Sequence, residues 1–537
     1  MKIPHFTQFV YHHVKQASLL ASLFLLSAIF IQAQQPAPTA SFNITDFGAV
    51  GDGTTLNTDA IQKAIDTCSA KGGGTVDFPS GRFLSGTIRI KDGVTLRLAD
   101  GAVLLGSPKL SDYQLIEGFT EGLGIHVGYT FIIAVDAKNI GIEGPGEVDG
   151  QGKEIAAGQG KGTSKDWGKR PFLLRFLRCD GITLQNLKIT GSGAWTMPIS
   201  LSKNILIKGV NIESYGLPHN DGIDIDSCQN LQILDTNIHS GDDAICFKTL
   251  SPLPCQNITI NNCKLQTGEG AIKFGTESTG AFANVTISNC QVISAKEGGI
   301  KLFSVDGAEM QNISVSDIKM SNVNLPIIVR LGARLNTFRE GDQKQPVGFI
   351  KDIQIKNVEA TNCTRIGILI SGIPDHPVQN LSIQNVSIQL PGGGSQSEAK
   401  TVLPELEKAY PEVKMFGDAM PAYGAYIRHV QGLKIDGLSV QVASPDQRPA
   451  VFCQDAQDIA FTNWKLASDQ AADSVLNFDS VKNAVISGFD VQGGASTFLH
   501  LAGQDSTGIR LTGNQLGSIG TPSQAGSDVS SGAVTVQ

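Results

Sequence analysis

The chain has 537 residues, a net charge of −8, 41% apolar residues, only 17% charged residues and 60 glycines. The surplus of acid over base excludes nucleic acid as the main partner, because phosphate binding draws on an excess of Lys and Arg. A local basic cluster still admits an acidic ligand, and the glycine-rich, charge-poor balance suits a turn-rich all-β protein better than a helical one.

At the N-terminus, Lys2 and Lys15 with His12 and His13 precede an apolar run from Ala17 to Ile31, and Ile31-Gln32-Ala33 ends in a small residue. This predicts a signal peptide over 1–33, Gln34 as the new N-terminus, a short linker over 34–40 and export to the periplasm or beyond. An uncleaved anchor is the alternative, but the run is short for a span of about 20 residues. No membrane span is expected after signal removal.

From Thr58 to Asp66 apolar residues fall at helical spacing, which predicts a helix capping the open end of a repetitive core. Then a phrase of the form x-Asn-hydrophobic-x-hydrophobic recurs. Asn204, Asn230, Asn257, Asn284 and Asn312 are 26, 27, 27 and 28 residues apart, and Asp458 to Asn483 is 25. A fixed period of this size means a solenoid. Within it apolar and polar residues alternate, as in Asn257-Ile258-Thr259-Ile260, which is the mark of short strands. Strands of equal rank stack on the next coil about 4.8 Å away, so the expected fold is a single-stranded right-handed parallel β-helix over 41–520, followed by a flexible tail over 521–537. The recurring Asn reads as a corner ladder, since Asn tolerates left-handed backbone. Inserts break the rhythm near Pro346 and between Pro391 and Tyr423; the second is expected to be a surface loop. Nine cysteines with no CxxC pair argue against zinc and redox chemistry and for small buried residues.

Aligning coils by their inward residues stacks Asp221-Gly222-Ile223-Asp224 over Asp243-Ala244-Ile245-Cys246, then Gly270-Ala271-Ile272-Lys273, then Gly298-Gly299-Ile300-Lys301. One outward column holds Asp221 and Asp243. Its neighbour holds Asn220, Asp242, Glu269 and Glu297, and a third holds Asp224, Cys246, Lys273 and Lys301. Stacked like charges raise one another's pKa, the perturbation that acid/base chemistry uses. A solvated acidic ladder or a calcium site is the plainer reading of the same columns.

At these residues the sequence resembles glycoside hydrolase family 28, the polygalacturonases and rhamnogalacturonan hydrolases. Asn220-Asp221-Gly222-Ile223-Asp224 is similar to that family's Asn-Thr-Asp-Gly-Ile-Asp. Gly241-Asp242-Asp243-Ala244-Ile245 is similar to Gly-Asp-Asp-Cys-Ile. Gly268-Glu269-Gly270 stands where the family has Gly-His-Gly, and Gly299-Ile300-Lys301-Leu302 where it has Gly-Ile-Arg-Ile-Lys. The likeness runs from Phe42 to Ser304. It implies an inverting O-glycosyl hydrolase without metal or other cofactor, acting on an acidic plant-type polysaccharide of the pectin class, galacturonan or rhamnogalacturonan, and expected as a monomer. Asp242 would be the general acid, and Asp221 and Asp243 would hold the attacking water, with carboxyls about 6.5–9.5 Å apart. His219, Asn220, Glu269, Lys273, Lys301 and Trp195 are the expected substrate-binding residues. The family's second cation is replaced by Phe303, while Lys273 offers another. Lys273 and Lys301 also read as mere neutralisers of the acidic face, Trp195 as a corner filler, and Arg330 and Arg334 as cleft residues or ion-pair partners. The competing functions are a calcium-dependent pectate-lyase-type enzyme and a non-catalytic carbohydrate-binding β-helix.

Overall fold

The structure is a computed structural model that describes residues 40–158 and 166–537. The proposed signal peptide, its cleavage site and nearly all of the linker lie outside the described residues.

Each coil contributes strands that pair in parallel with the same strands of the next coil. Met197–Ser200 pairs with Ile223–Asp226, which pairs with Ile245–Thr249, and that with Gly270–Ser278. Lys203–Lys208, Gln229–Leu234 and Cys255–Asn261 form a second such ladder, and Asn211–Ser214, Asn237–Ser240 and Lys264–Thr267 a third. The result is a right-handed parallel β-helix. Inward residues stack on their own kind: the Phe247 and Phe274 rings lie 4.1 Å apart and nearly parallel. The predicted helix forms over Thr58–Ala70 and buries Ile61, Ala64, Ile65 and Cys68. All nine cysteines are buried and unbridged.

The corner ladder is present. Asn204, Asn230, Asn257, Asn284 and Asn312 have φ between 56 and 59°, the left-handed region that Asn enters more easily than other non-glycine residues. The side-chain amide of each donates to the carbonyl oxygen of the one before, at 3.1–3.3 Å. The same geometry explains the N-x-Ser/Thr triplets in these repeats without invoking glycosylation.

Two sequence expectations need correction. Residues 521–537 are not a loose tail. Thr521–Ala525 pairs with Thr497–Ala502, and Val534–Val536 with Thr507–Thr512, because the last coil still presents unpaired backbone groups that further strands can satisfy. The 391–423 insert is more than a surface loop, since it buries Leu403, Val413, Phe416 and Met420 in an apolar cluster on the outside of the solenoid.

Candidate active site

The register matches the sequence alignment. Asp224 lies opposite Cys246, Cys246 opposite Lys273 and Lys273 opposite Lys301. The Gly222 amide donates to the Asp243 carbonyl, which sets Asp221 beside Asp243 on the neighbouring coil. One carboxylate oxygen from each of Asp221, Asp242 and Asp243 lies within 4.8 Å of the other two. That is tighter than the expected spacing. Asp242 and Asp243 are consecutive, Asp221 is one coil spacing away, and nearest oxygens approach more closely than carboxyl centres.

The three carboxylates differ in access. The Asp242 side chain is 25% exposed, against 5% for Asp221 and 2% for Asp243. Asp242 is aimed by its own loop: the Ser240 and Thr267 hydroxyls donate to its carbonyl, and the Asp243 amide donates to its Oδ1. Its Oδ2 is left 3.9 Å from Nδ1 of His219. Asp243 is fully engaged. Oδ1 accepts from the Gly270 amide at 2.9 Å, and Oδ2 meets the Lys273 ammonium at 2.6 Å. A Cβ at position 270 would sit 2.7 Å from Asp243 Oδ1 and 2.8 Å from Lys301 Cδ, so any other residue there displaces both side chains. Burial works to raise the Asp243 carboxyl, but Lys273 and Lys301 outweigh it and hold it below the ordinary carboxylate value.

Asp221 goes the other way. Burial, then the negative charges of Asp224 and Asp242, push it well above the usual range. Burial lifts Asp224 to about 6. Beneath both lies Lys248, which sequence reasoning missed. Its ammonium is 3.7 Å from Asp221, 3.4 Å from Asp224 and 3.5 Å from Glu277, and it rides 4.3 Å above the Trp195 ring. Burial works against the charge, but Cys246, then Glu277, Asp224 and Asp221, outweigh it and hold the Lys248 pKa well above its ordinary value. Lys248 could have been found by extending the outward columns one step further, since it pairs in register with Asp226. Glu277 could not, because the register slips between Phe247 and Thr249.

Of the expected substrate-binding residues, His219, Glu269 and Lys301 lie at the acidic cluster. His219 stacks on Trp167 at 4.3 Å, and burial lowers its pKa, so the neutral ring faces Asp242. Glu269 is raised to about 7 by burial and by Asp242 and Asp243. Burial, then Lys273, lowers Lys301. The other three have different work. Asn220 is 1% exposed, and its amide donates to the Ser192 and Ala194 carbonyls, so it braces the loop. Trp195 is 5% exposed, stacked on Phe172 at 5.3 Å and capped by Lys248; it offers no ring face to a sugar. Lys273 is committed to Asp243. Arg334 is buried against Asp306 at 2.5 Å, and Arg330 donates to carbonyls of the 391–423 insert.

Among the described residues, two groups of side chains have donor sets a cation could use: Asp221, Asp242 and Asp243, and Asp221, Asp224 and Cys246. Lys248 and Lys273 already supply positive charge to both.

The sequence pattern of "Glycosyl hydrolases family 28" matches residues 68–408. A Vitis vinifera protein named "Probable polygalacturonase" is 35% identical over 223 residues, which are 39% of this chain and 44% of that protein. The chain therefore spans under half the length of that relative. A Zea mays "Exopolygalacturonase" is 26% identical over 383 residues, 68% of this chain and 88% of that protein. Among solved structures, the Yersinia enterocolitica family 28 exopolygalacturonase superposes with a TM-score of 0.60 at 19% identity, covering 79% of this chain and 78% of that one. With more than half of its length inside the matched pattern, this chain is a member of glycosyl hydrolases family 28.

Proposed function

We propose that the protein hydrolyses glycosidic bonds in a pectin-class polysaccharide, a galacturonan or rhamnogalacturonan backbone, with inversion at the anomeric carbon. The observation that carries this reading is the pairing of one accessible carboxyl, Asp242, with two buried ones, Asp221 and Asp243, all within 4.8 Å. Asp242 reaches the glycosidic oxygen and protonates it. Asp221 and Asp243 are too buried to bond a sugar carbon themselves and act through a water. Asp243, held ionised by Lys273, takes the proton of that water as it attacks, and Asp221 helps to hold it. General acid/base assistance of this kind is worth about 10²–10⁴-fold in rate. Lys301, beside Asp243 and Glu269, is the cation assigned to a uronate carboxylate. Names of relatives, polygalacturonase and exopolygalacturonase, support the substrate class.

The test is reducing-end release from polygalacturonate, rhamnogalacturonan and their oligomers, with and without EDTA, and NMR of the first-formed anomer. Inverted product and EDTA tolerance are expected, and Asp242→Asn should lower kcat by at least about 10²-fold with an unchanged fold. Unsaturated products absorbing near 235 nm that require calcium would replace this reading with a lyase. Full activity in Asp242→Asn would remove the assigned acid.

A further inference from the structure

The outward column that carries the site changes character abruptly. On four successive coils it reads Asp224, Cys246, Lys273 and Lys301. On the next four it reads Ile328, Leu369, Tyr426 and Phe452. Ile328, Leu369 and Tyr426 are 0–1% exposed although they point away from the solenoid core. What covers them is the 391–423 insert, through Leu403, Val413, Phe416 and Met420. Phe303, which stands where the family motif has a second cation, belongs to the same cluster. The substitution that removes a charge from the cleft thus supplies apolar surface for the insert to sit on.

The insert is fastened as well as buried. Arg330 donates to the Glu405 and Leu406 carbonyls, Arg428 donates to those of Leu403 and Pro404, and the Ala333 amide donates to that of Glu407. His429 bridges Glu405 and Asp455 at 3.1 and 2.6 Å. From these anchors the strap advances toward the site. Tyr410 at its tip is 41% exposed, accepts from the Thr276 hydroxyl at 3.3 Å and lies beneath the Arg334 guanidinium at 5.6 Å. Thr276 is next to Glu277, a partner of Lys248. Tyr410 also lies beyond residue 408, where the family pattern stops.

A groove for a continuous polysaccharide must run along the axis of the solenoid past the carboxylates on both sides. Here the charged column ends at Lys301, the insert covers the coils that follow, and Tyr410 stands against Thr276. We infer that the strap closes one end of the cleft, so that the site accepts only the terminal residues of an acidic polysaccharide chain. The enzyme is exo-acting, with Tyr410 as the side chain that meets the chain end. This rests on the hydrolase reading of the same carboxylates and adds the form in which substrate enters.

Two measurements separate the two ideas. In the first, the native protein digests polygalacturonate and reducing-end-labelled oligogalacturonates. One small product, a monomer or dimer, is expected from the earliest time points, with viscosity falling slowly relative to reducing-end release. A ladder of mid-sized products overturns the closed end while leaving the hydrolase reading intact. In the second, Asp242→Asn protein is titrated with polygalacturonate fractions of different chain length at equal sugar concentration. Binding should follow the concentration of chain ends, so that a tenfold shorter fraction saturates at about a tenth of the sugar concentration. Binding that follows total sugar overturns the inference even if no turnover is ever found. End-dependent binding by a native protein that hydrolyses nothing supports the closed end and discards the hydrolase reading.

Discussion

Replacing Lys248 by methionine keeps an unbranched stem near Trp195 and removes the one charge that three buried carboxylates share at 3.4–3.7 Å. Glu277 gives the cleanest magnitude. Burial works to raise its carboxyl, yet Lys248, then Lys273, holds it below its ordinary value of 4.5. Without Lys248 the buried carboxylate takes a proton rather than stay charged. Protonating an acid of pKa 4.5 costs about 1.36 kcal/mol for each pH unit above that value. The cost is about 3 kcal/mol at pH 7 and under about 1 kcal/mol at pH 5. The sign follows from linkage. In the native protein Glu277 is depressed, so its contribution is present above pH 4.5 and lost as pH falls through the lower folded value. In the variant the folded pKa is raised, the folded state binds the extra proton, and stability falls as pH rises from the unfolded value. Urea denaturation of both proteins at pH 5 and pH 7 should therefore show a gap that widens by about 3 kcal/mol toward neutrality. A gap of equal size at both pH values would mean that Lys273 and Arg334 keep Glu277 ionised and that Lys248 is not the organising cation.

The Glu269 carboxyl at about 7 is neutral below that pH and repels an anionic sugar above it, so kcat/KM should fall through a limb near pH 7; Glu269→Gln should abolish that limb, and a profile identical to the native one would remove Glu269 from the site. Lys273→Met deprives Asp243 of its 2.6 Å partner, so the Asp243 pKa rises and the acid limb of kcat should move to higher pH; an unmoved limb would place the base elsewhere. Asn257→Ala forces alanine into a φ of 59° and breaks two rungs of the ladder. It should cost about 1–2 kcal/mol for the left-handed backbone plus about 1 kcal/mol for each of the two hydrogen bonds, read by thermal melting, without changing kcat.

Periodicity made the solenoid legible. A repeat of 25–28 residues with alternating apolar positions leaves little choice, because each coil can bury its apolar face only against the next. The same periodicity stacked Asp221, Asp242, Asp243, Glu269 and Lys301 correctly, since parallel register transmits sequence alignment directly into space. Column arithmetic could say which residues share a face, but not how deep each lies. Asn220, aligned with the site, and Trp195, expected to bind substrate or fill a corner, are spent on bracing it. Glu277 was hidden by a slip in register, and Tyr410 by some 130 residues of intervening chain. The strand-forming tail and the docked insert were illegible for a related reason: both are irregular in sequence and gain their order from surface that the finished solenoid provides. The sequence alone thus determined the fold class and the acidic face, because both follow from a local, repeating pattern. Only the tertiary structure decided which carboxylates are buried, which cation serves them and what covers the coils beyond Lys301, because burial and docking depend on segments that no repeat relates.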